Sequence, residues 1–260
     1  MNGEDIDRIR ALDDWRKHRT GIVETSDGRV VVKGQRPPRV IDGHSLLDAL
    51  ASLAGAPLLR AIPAHGGARG QAVEVRRLTE LHAAGVRVPR VLHVDEEFFA
   101  MEFLDGPNLA QALAQQPARA LGLWQEGLAL VHEVHARGQY LSQANARNII
   151  VTPEGVAAID FEDDPLEVLT LEQAQVRNWL MYLQSTVWLM PEAHPRLLSV
   201  WERFAPAASA LQPDLLLRTA LRLGWMRHLP HKRRPWGRDI VSAQAAASFL
   251  HDWTQHARHP

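Results

Sequence analysis

Cysteine is absent from the 260 residues. No disulfide can brace the fold and no thiolate can hold zinc, so the sequence fits a reducing compartment. An excess of one charge is also missing. The 29 Lys and Arg stand against 30 Asp and Glu, for a formal net charge of -1, so the bulk charge gives no sign of a nucleic-acid partner or a strongly acidic one. There is no long uninterrupted apolar run either. The most apolar stretch, residues 46–64, is broken by Asp48, Pro57, Arg60 and Pro63, which argues against a membrane span. Its one-sided apolar spacing leaves two expectations, packing as a cap on neighbouring elements or contact with a membrane surface. The charged N-terminus, MNGEDIDRIRALDDW, lacks the apolar segment of a signal peptide, and a cytoplasmic location is expected. What is present is ordinary: 46% hydrophobic and 23% charged residues, enough for a core in one or two domains.

The pattern divides the chain into a β-rich first part and a helical second part. Residues 4–17 read as one short helix. Residues 20–33 read as a hairpin turned by Ser26-Asp-Gly. Residues 45–60 have helical spacing, a Gly/His-rich loop follows at 64–70, and residues 71–84 repeat Val73, Leu78 and Leu81 near the helical period before Gly85. Strands are expected at 90–94 and 98–103, then a break at Asp105-Gly-Pro. The remainder is helical apart from a small hairpin, residues 149–151 and 156–160, turned by Thr152-Pro-Glu-Gly.

Four segments in this order carry chemistry. They are Val30-Val-Val-Lys33, the helix holding Glu74 and ending Gly85-x-x-x-Pro89, Phe99-Ala-Met-Glu-Phe-Leu104, and the pair Asn148-Ile-Ile-Val with Ala158-Ile-Asp-Phe161. The order resembles the protein-kinase-like superfamily. It is most similar to the small atypical bacterial branch that includes lipopolysaccharide-core sugar kinases and the kinase of the KEOPS complex, over roughly residues 20–165. The resemblance implies a two-lobed α+β fold, with an N-lobe at 1–104 (an insertion at about 37–70) and a helical C-lobe at 105–260. It implies ATP and magnesium as cofactors. Lys33 would grip the phosphates and pair with Glu74, with Glu80 on the same helix as the rival. Met101 would be the gatekeeper beside the adenine, and Glu102 and Leu104 would offer it backbone groups. Asn148 and Asp160 would supply hard oxygen ligands to magnesium.

Three departures bear on activity. The first hairpin has no Gly-rich phosphate loop, leaving the glycines at 66–70 as a substitute. Asp160-Phe-Glu162 carries Glu where the family has Gly, and Glu162, Asp163 and Asp164 read either as a second ion site or, preferably, as a solvated acidic turn. Five residues before Asn148, where the family's proton-accepting Asp stands, this chain has Gln143. An amide takes no proton at neutral pH, and losing general-base assistance typically costs about 10²–10⁴ in rate. The loop Ser142-Gln-Ala-Asn-Ala-Arg-Asn148 is similar to those of proteobacterial proteins labelled serine/threonine or lipopolysaccharide kinases. In those a basic residue precedes the metal-side position, here Arg147, which would either neutralise phosphate charge or lie in water.

Other features are weaker. His132 and His135 lie three apart on a helix, but no third ligand at useful spacing supports zinc. Trp179, Trp188, Trp201, Trp225 and Trp253 read as core. Arg222, Arg227, Lys232, Arg233, Arg234 and Arg238 form a basic cluster around Pro235-Trp-Gly, read as a solvated face or an anion site. The function implied is an ATP-dependent phosphotransferase acting on a hydroxyl of a glycolipid sugar, small molecule or protein. A nucleotide-binding pseudokinase acting as a regulatory module is the alternative, and adenylyl transfer is a third.

Overall fold

The computed structural model describes residues 1–35, 58, 62, 63, 65–205 and 213–256. The helical spacing at 45–60 and the apolar stretch at 46–64 fall outside these residues, apart from Leu58, Ile62 and Pro63. Leu58 and Ile62 are buried.

The first lobe is a four-stranded antiparallel sheet in the order β1-β2-β4-β3, made of β1 (Thr20–Thr25), β2 (Gly28–Gly34), β3 (Val91–Val94) and β4 (Phe98–Glu102). Period-two alternation gives the sheet two distinct faces. Val23, Val30, Val32, Phe98 and Ala100 pack on one face against Ile9 and Trp15. Val31, Phe99 and Met101 turn to the other face and join the main core of the molecule. Lys33 lies two residues after Val31, so the same alternation aims it at that second face. Its strand partner is Phe99, and that of Val31 is Met101.

Residues 4–17 form two helices, α1 (Gly3–Ala11) and α2 (Asp14–His18), where the sequence pattern suggested one. Ile9 and Trp15 are six residues apart, which is about 240° around a continuous helix, yet both must reach the same sheet face. The chain breaks at Leu12, whose backbone is extended. The Trp15 indole N–H then donates to the Ile9 carbonyl at 2.7 Å, which also accepts the Leu12 N–H at 3.2 Å, so the two helices are tied across the break.

Helix α3 (Gly67–Ala83) packs across the inner face of the sheet. It begins at Gly67, so Gly67–Gly70 form its first turn and are not a loop. A Cβ at Gly70 would stand 2.6 Å from the His65 carbonyl oxygen, so glycine is what lets the chain enter the helix this closely. The buried stripe of α3 is Gly70, Val73, Glu74, Arg77, Leu78 and Leu81. Two of its members are charged, and each requires a partner.

The second lobe is helical: α4 (Leu109–Gln115), α5 (Ala120–Ala136), α6 (Leu171–Thr186), α7 (His194–Trp201), α8 (Pro213–Leu223), α9 (Arg233–Trp236) and α10 (Arg238–His256). Between α5 and α6 it carries the hairpin β5 (Ile149–Thr152) and β6 (Gly155–Ala158). Its core holds Trp124, Trp179, Trp201, Phe249 and Trp253, with edge-on ring contacts such as Trp179 to Trp201 at 5.2 Å. Two of the tryptophans read as core lie elsewhere: Trp225 is 41% exposed and Trp188 is half-buried. The segment joining the lobes is pinned to the hairpin. The Val151 N–H donates to the Pro107 carbonyl at 2.9 Å, and Gly106 has φ +152 with Val151 so near that a Cβ would meet its carbonyl oxygen. No helix among the described residues is long and apolar enough to cross a membrane.

Candidate active site

The site lies between the lobes, around Lys33. The Lys33 ammonium is 2.6 Å from Glu74 Oε1, 3.0 Å from Asp160 Oδ1 and 3.2 Å from Glu162 Oε1. Burial by itself would lower the Lys33 pKa, but Glu74, Asp160 and Glu162 outweigh it and hold the pKa above the usual lysine value. Burial pushes the Glu74 carboxyl upward against the opposing pull of Lys33. Glu80, on the exposed side of α3, pairs instead with Arg76 and Arg77.

Asn148 ends a short 3₁₀ turn directly before β5. Its carbonyl accepts the Ile159 N–H at 2.9 Å, which extends the hairpin ladder and brings Asp160 one residue beyond the level of Asn148. Asp160 has φ +69, a left-handed conformation that Asp and Asn adopt more readily than most residues. The turn leaves its side chain 39% exposed at the mouth of the Lys33 cluster. The Asn148 amide nitrogen donates to the Gln143 carbonyl at 3.3 Å, so its amide oxygen is the atom left over for a cation. An amide oxygen and a carboxylate are a donor set that fits magnesium. Glu74, Asp160 and Glu162 also bring carboxylate oxygens within 4.8 Å of one another, with Lys33 already bonded to all three.

The acidic turn is not solvated, and this corrects the sequence reading. Each of its three carboxylates is at least partly buried and committed to a different part of the molecule. Glu162 contacts Arg19 as well as Lys33. Burial would raise its pKa, yet the two cations carry it down to about 2. Asp164 accepts the Tyr140 hydroxyl at 2.7 Å and the Leu166 N–H at 3.0 Å, and it contacts Arg76. Asp163 accepts the Gln143 side-chain amide at 2.6 Å. The residue in the expected base position therefore holds an aspartate from the next turn.

Met101 is buried in β4 on the cleft face. The Glu102 N–H donates to the Arg90 carbonyl at 2.9 Å, and Leu104 follows the end of the strand, half-buried. Arg147 is exposed and borders an open cavity of about 430 Å³ in the second lobe, not the Lys33 cluster. Of the basic cluster, Arg238 borders that same cavity, and Lys232, Arg233 and Arg234 are exposed.

Two residues with no motif of their own position the loop. Arg77 on α3 donates to the Tyr140 carbonyl at 2.9 Å and lies over the Tyr140 ring at 3.8 Å. Asn178 on α6, fully buried, accepts the Leu141 N–H at 2.8 Å and donates to the Leu141 carbonyl at 2.7 Å. Only the unusual charge within the α3 stripe signals Arg77. No sequence pattern signals Asn178.

His135 is 3.2 Å from the same Asn178 oxygen. It is a buried structural group and not a metal ligand. Burial drives its pKa from 6.5 down to about 4. Above pH 6.5 both folded and unfolded forms are neutral and the fold bears no penalty. As pH falls from 6.5 to 4 the unfolded chain takes up the proton first, so stability is lost through that window. At pH 5 the loss is about 2 kcal/mol. Urea unfolding at pH 7 and pH 5 should show that extra loss in the wild type and not in His135→Gln. Equal losses in the two would contradict this burial.

Among solved structures the chain is similar to two crystal structures of the Mycobacterium tuberculosis PknI kinase domain. One, of a single-residue mutant of that domain, has 13% identity and a TM-score of 0.38, covering 90% of this chain and 89% of that one. The other has 14% identity and a TM-score of 0.39, covering 92% and 90%. No protein-family model matches the chain, and no curated protein matches it. The chain's own elements define the class: a two-lobed, α+β, protein-kinase-like fold, with a four-stranded sheet and a helix above a helical lobe that carries one hairpin.

Proposed function

We propose that this protein is an atypical phosphotransferase that uses ATP and magnesium, akin to the small bacterial branch of the superfamily, with lobes dividing near residues 104/105. The observation that carries the reading is the convergence of Lys33, Glu74 and Asp160 within 3.0 Å contacts across the two lobes. A fold that served only as a scaffold has no need to gather a buried lysine and an exposed carboxylate at one cleft.

In this reading Lys33, oriented by Glu74, binds the nucleotide phosphates. Met101 borders the adenine, and the Glu102 carbonyl and Leu104 amide read its edge. Asn148 and Asp160 would hold magnesium, which when bound neutralises phosphate charge. The acceptor oxygen bonds to the γ-phosphorus as the bond to the β–γ bridging oxygen breaks, and ADP leaves with that electron pair. Asp163 takes the hydroxyl proton, and Gln143 positions Asp163. Asp164, which accepts from Tyr140 and Leu166 and contacts Arg76, braces the loop.

Incubation with γ-labelled ATP and separate glycolipid, small-molecule and protein fractions tests this. Label is expected in one fraction, and only with magnesium. Failure of the protein to bind ATP in the presence of magnesium would sink the reading. Binding without any transfer would favour the second reading, a nucleotide-binding regulatory module, which the glutamine at 143 supports.

A further inference from the structure

The open cavity in the second lobe is enclosed by four elements: α4, the loop before β5, the end of α6 with the turn after it, and the start of α10. Ala110 and Ala114, one helical turn apart on α4, and Ala146 on the loop face it. Small side chains at these places keep the hollow open where larger ones would fill it. At about 430 Å³ it is of the size that holds a small molecule.

The lining has a definite chemistry. Trp188 supplies a half-buried aromatic wall. Gln111, Asn145 and Gln184 supply amides, which both donate and accept. Arg147 and Arg238 place two guanidinium groups at the border, both exposed. Asp239 lies 3.9 Å from Arg238 and offsets part of its charge, leaving Arg147 as the stronger attraction for an anion. An aromatic wall with bidirectional amides suits a ring bearing several hydroxyls, and the arginines suit a phosphate or carboxylate upon it.

The cavity is wired to the candidate base. The Ala146 N–H donates to Ser185 Oγ at 2.9 Å, which fixes the loop wall to α6. The Asn145 amide donates to the Gln143 side-chain oxygen at 3.3 Å, and Gln143 donates to Asp163. One side of the hollow is thus two hydrogen bonds from the carboxylate proposed to accept the proton.

We infer that this cavity binds the phosphoryl acceptor, and that the acceptor is a small anionic polyol, a sugar phosphate or sugar acid or such a group at the end of a larger molecule. The inference names the substrate class for the phosphotransferase reading and rests on that reading for the word acceptor. The binding itself does not depend on it.

Heteronuclear NMR of the full chain without nucleotide tests the binding. The Trp188 indole signal is assigned from its loss in Trp188→Phe. Glucose 6-phosphate is the probe, with glucose and inorganic phosphate as controls. Glucose 6-phosphate is expected to shift the Trp188 signal at millimolar concentration. Each control should bind at least about tenfold more weakly, and Arg147→Gln should weaken the probe by about tenfold through loss of a charge-assisted bond. No shift of Trp188, an equal affinity in Arg147→Gln, or an equal response to inorganic phosphate alone (an adventitious ion only) would each overturn the assignment. A parallel titration with ATP and magnesium separates the two claims. If ATP binds and the probe does not, the cavity assignment fails alone. If the probe binds and ATP does not, the phosphotransferase reading falls and the polyol site stands.

Discussion

Asp160→Asn is expected to abolish the thermal stabilisation that ATP and magnesium give the wild type. A ligand at one hundred times its Kd stabilises by about 2.7 kcal/mol, and nearly all of that should disappear. Asparagine is the right substitution because position 160 has φ +69. Alanine in that left-handed conformation would add about 1–2 kcal/mol of backbone strain and confuse a lost ligand with a weakened fold. Asparagine keeps the shape and tolerates the backbone while removing the charge that a divalent cation needs. The unliganded variant should melt close to the wild type, since Asp160 is 39% exposed and Lys33 retains Glu74 and Glu162. An undiminished shift with ATP and magnesium would show that Asp160 holds no metal. The same titration without magnesium should leave both proteins almost unmoved.

The parts of this fold visible in the sequence are those governed by neighbours along the chain. Alternation wrote β1 and β2, and the run of Val73, Leu78 and Leu81 wrote most of α3. The turn residues Ser26-Asp-Gly and Pro153-Glu-Gly marked both hairpins. What stayed hidden depends on partners far away in sequence. The break at Leu12 is set by the sheet face that Ile9 and Trp15 must share. The three acidic residues at 162–164 look like a solvated turn because like charges in a row usually are. Their cations, Arg19 and Arg76, lie 143 and 88 residues away. The cavity beside Arg147 is formed by helices from three separate stretches, and alanines at 110, 114 and 146 carry no signal until those helices meet. Gln143 shows the same limit in the other direction. Taken as a letter in a motif it is a defect, whereas in the fold it is a contact to a carboxylate.

That contact sets the second large expectation. Asp163→Asn should slow single-turnover transfer by about 10²–10⁴, the usual worth of a positioned base, or about 2.7–5.5 kcal/mol of barrier. Gln143→Ala should cost about tenfold, because it removes the 2.6 Å bond that orients Asp163 but leaves the carboxylate in place. Hydrolysis of ATP with water as acceptor provides the measurement without a known acceptor. The pH profile separates chemistry from structure: a rising limb that reports a carboxylate losing its proton should be present in the wild type and in Gln143→Ala, and absent in Asp163→Asn. Asp164→Asn supplies the contrast. Asp164 is tied to Tyr140, Leu166 and Arg76, so its loss should lower the melting temperature and leave the shape of the pH profile alone. The base assignment fails if Asp163→Asn turns over within tenfold of the wild type, or if Gln143→Ala is as damaging as Asp163→Asn. The second outcome would mean that the glutamine itself touches the reacting groups, and that Asp163 serves to hold it there.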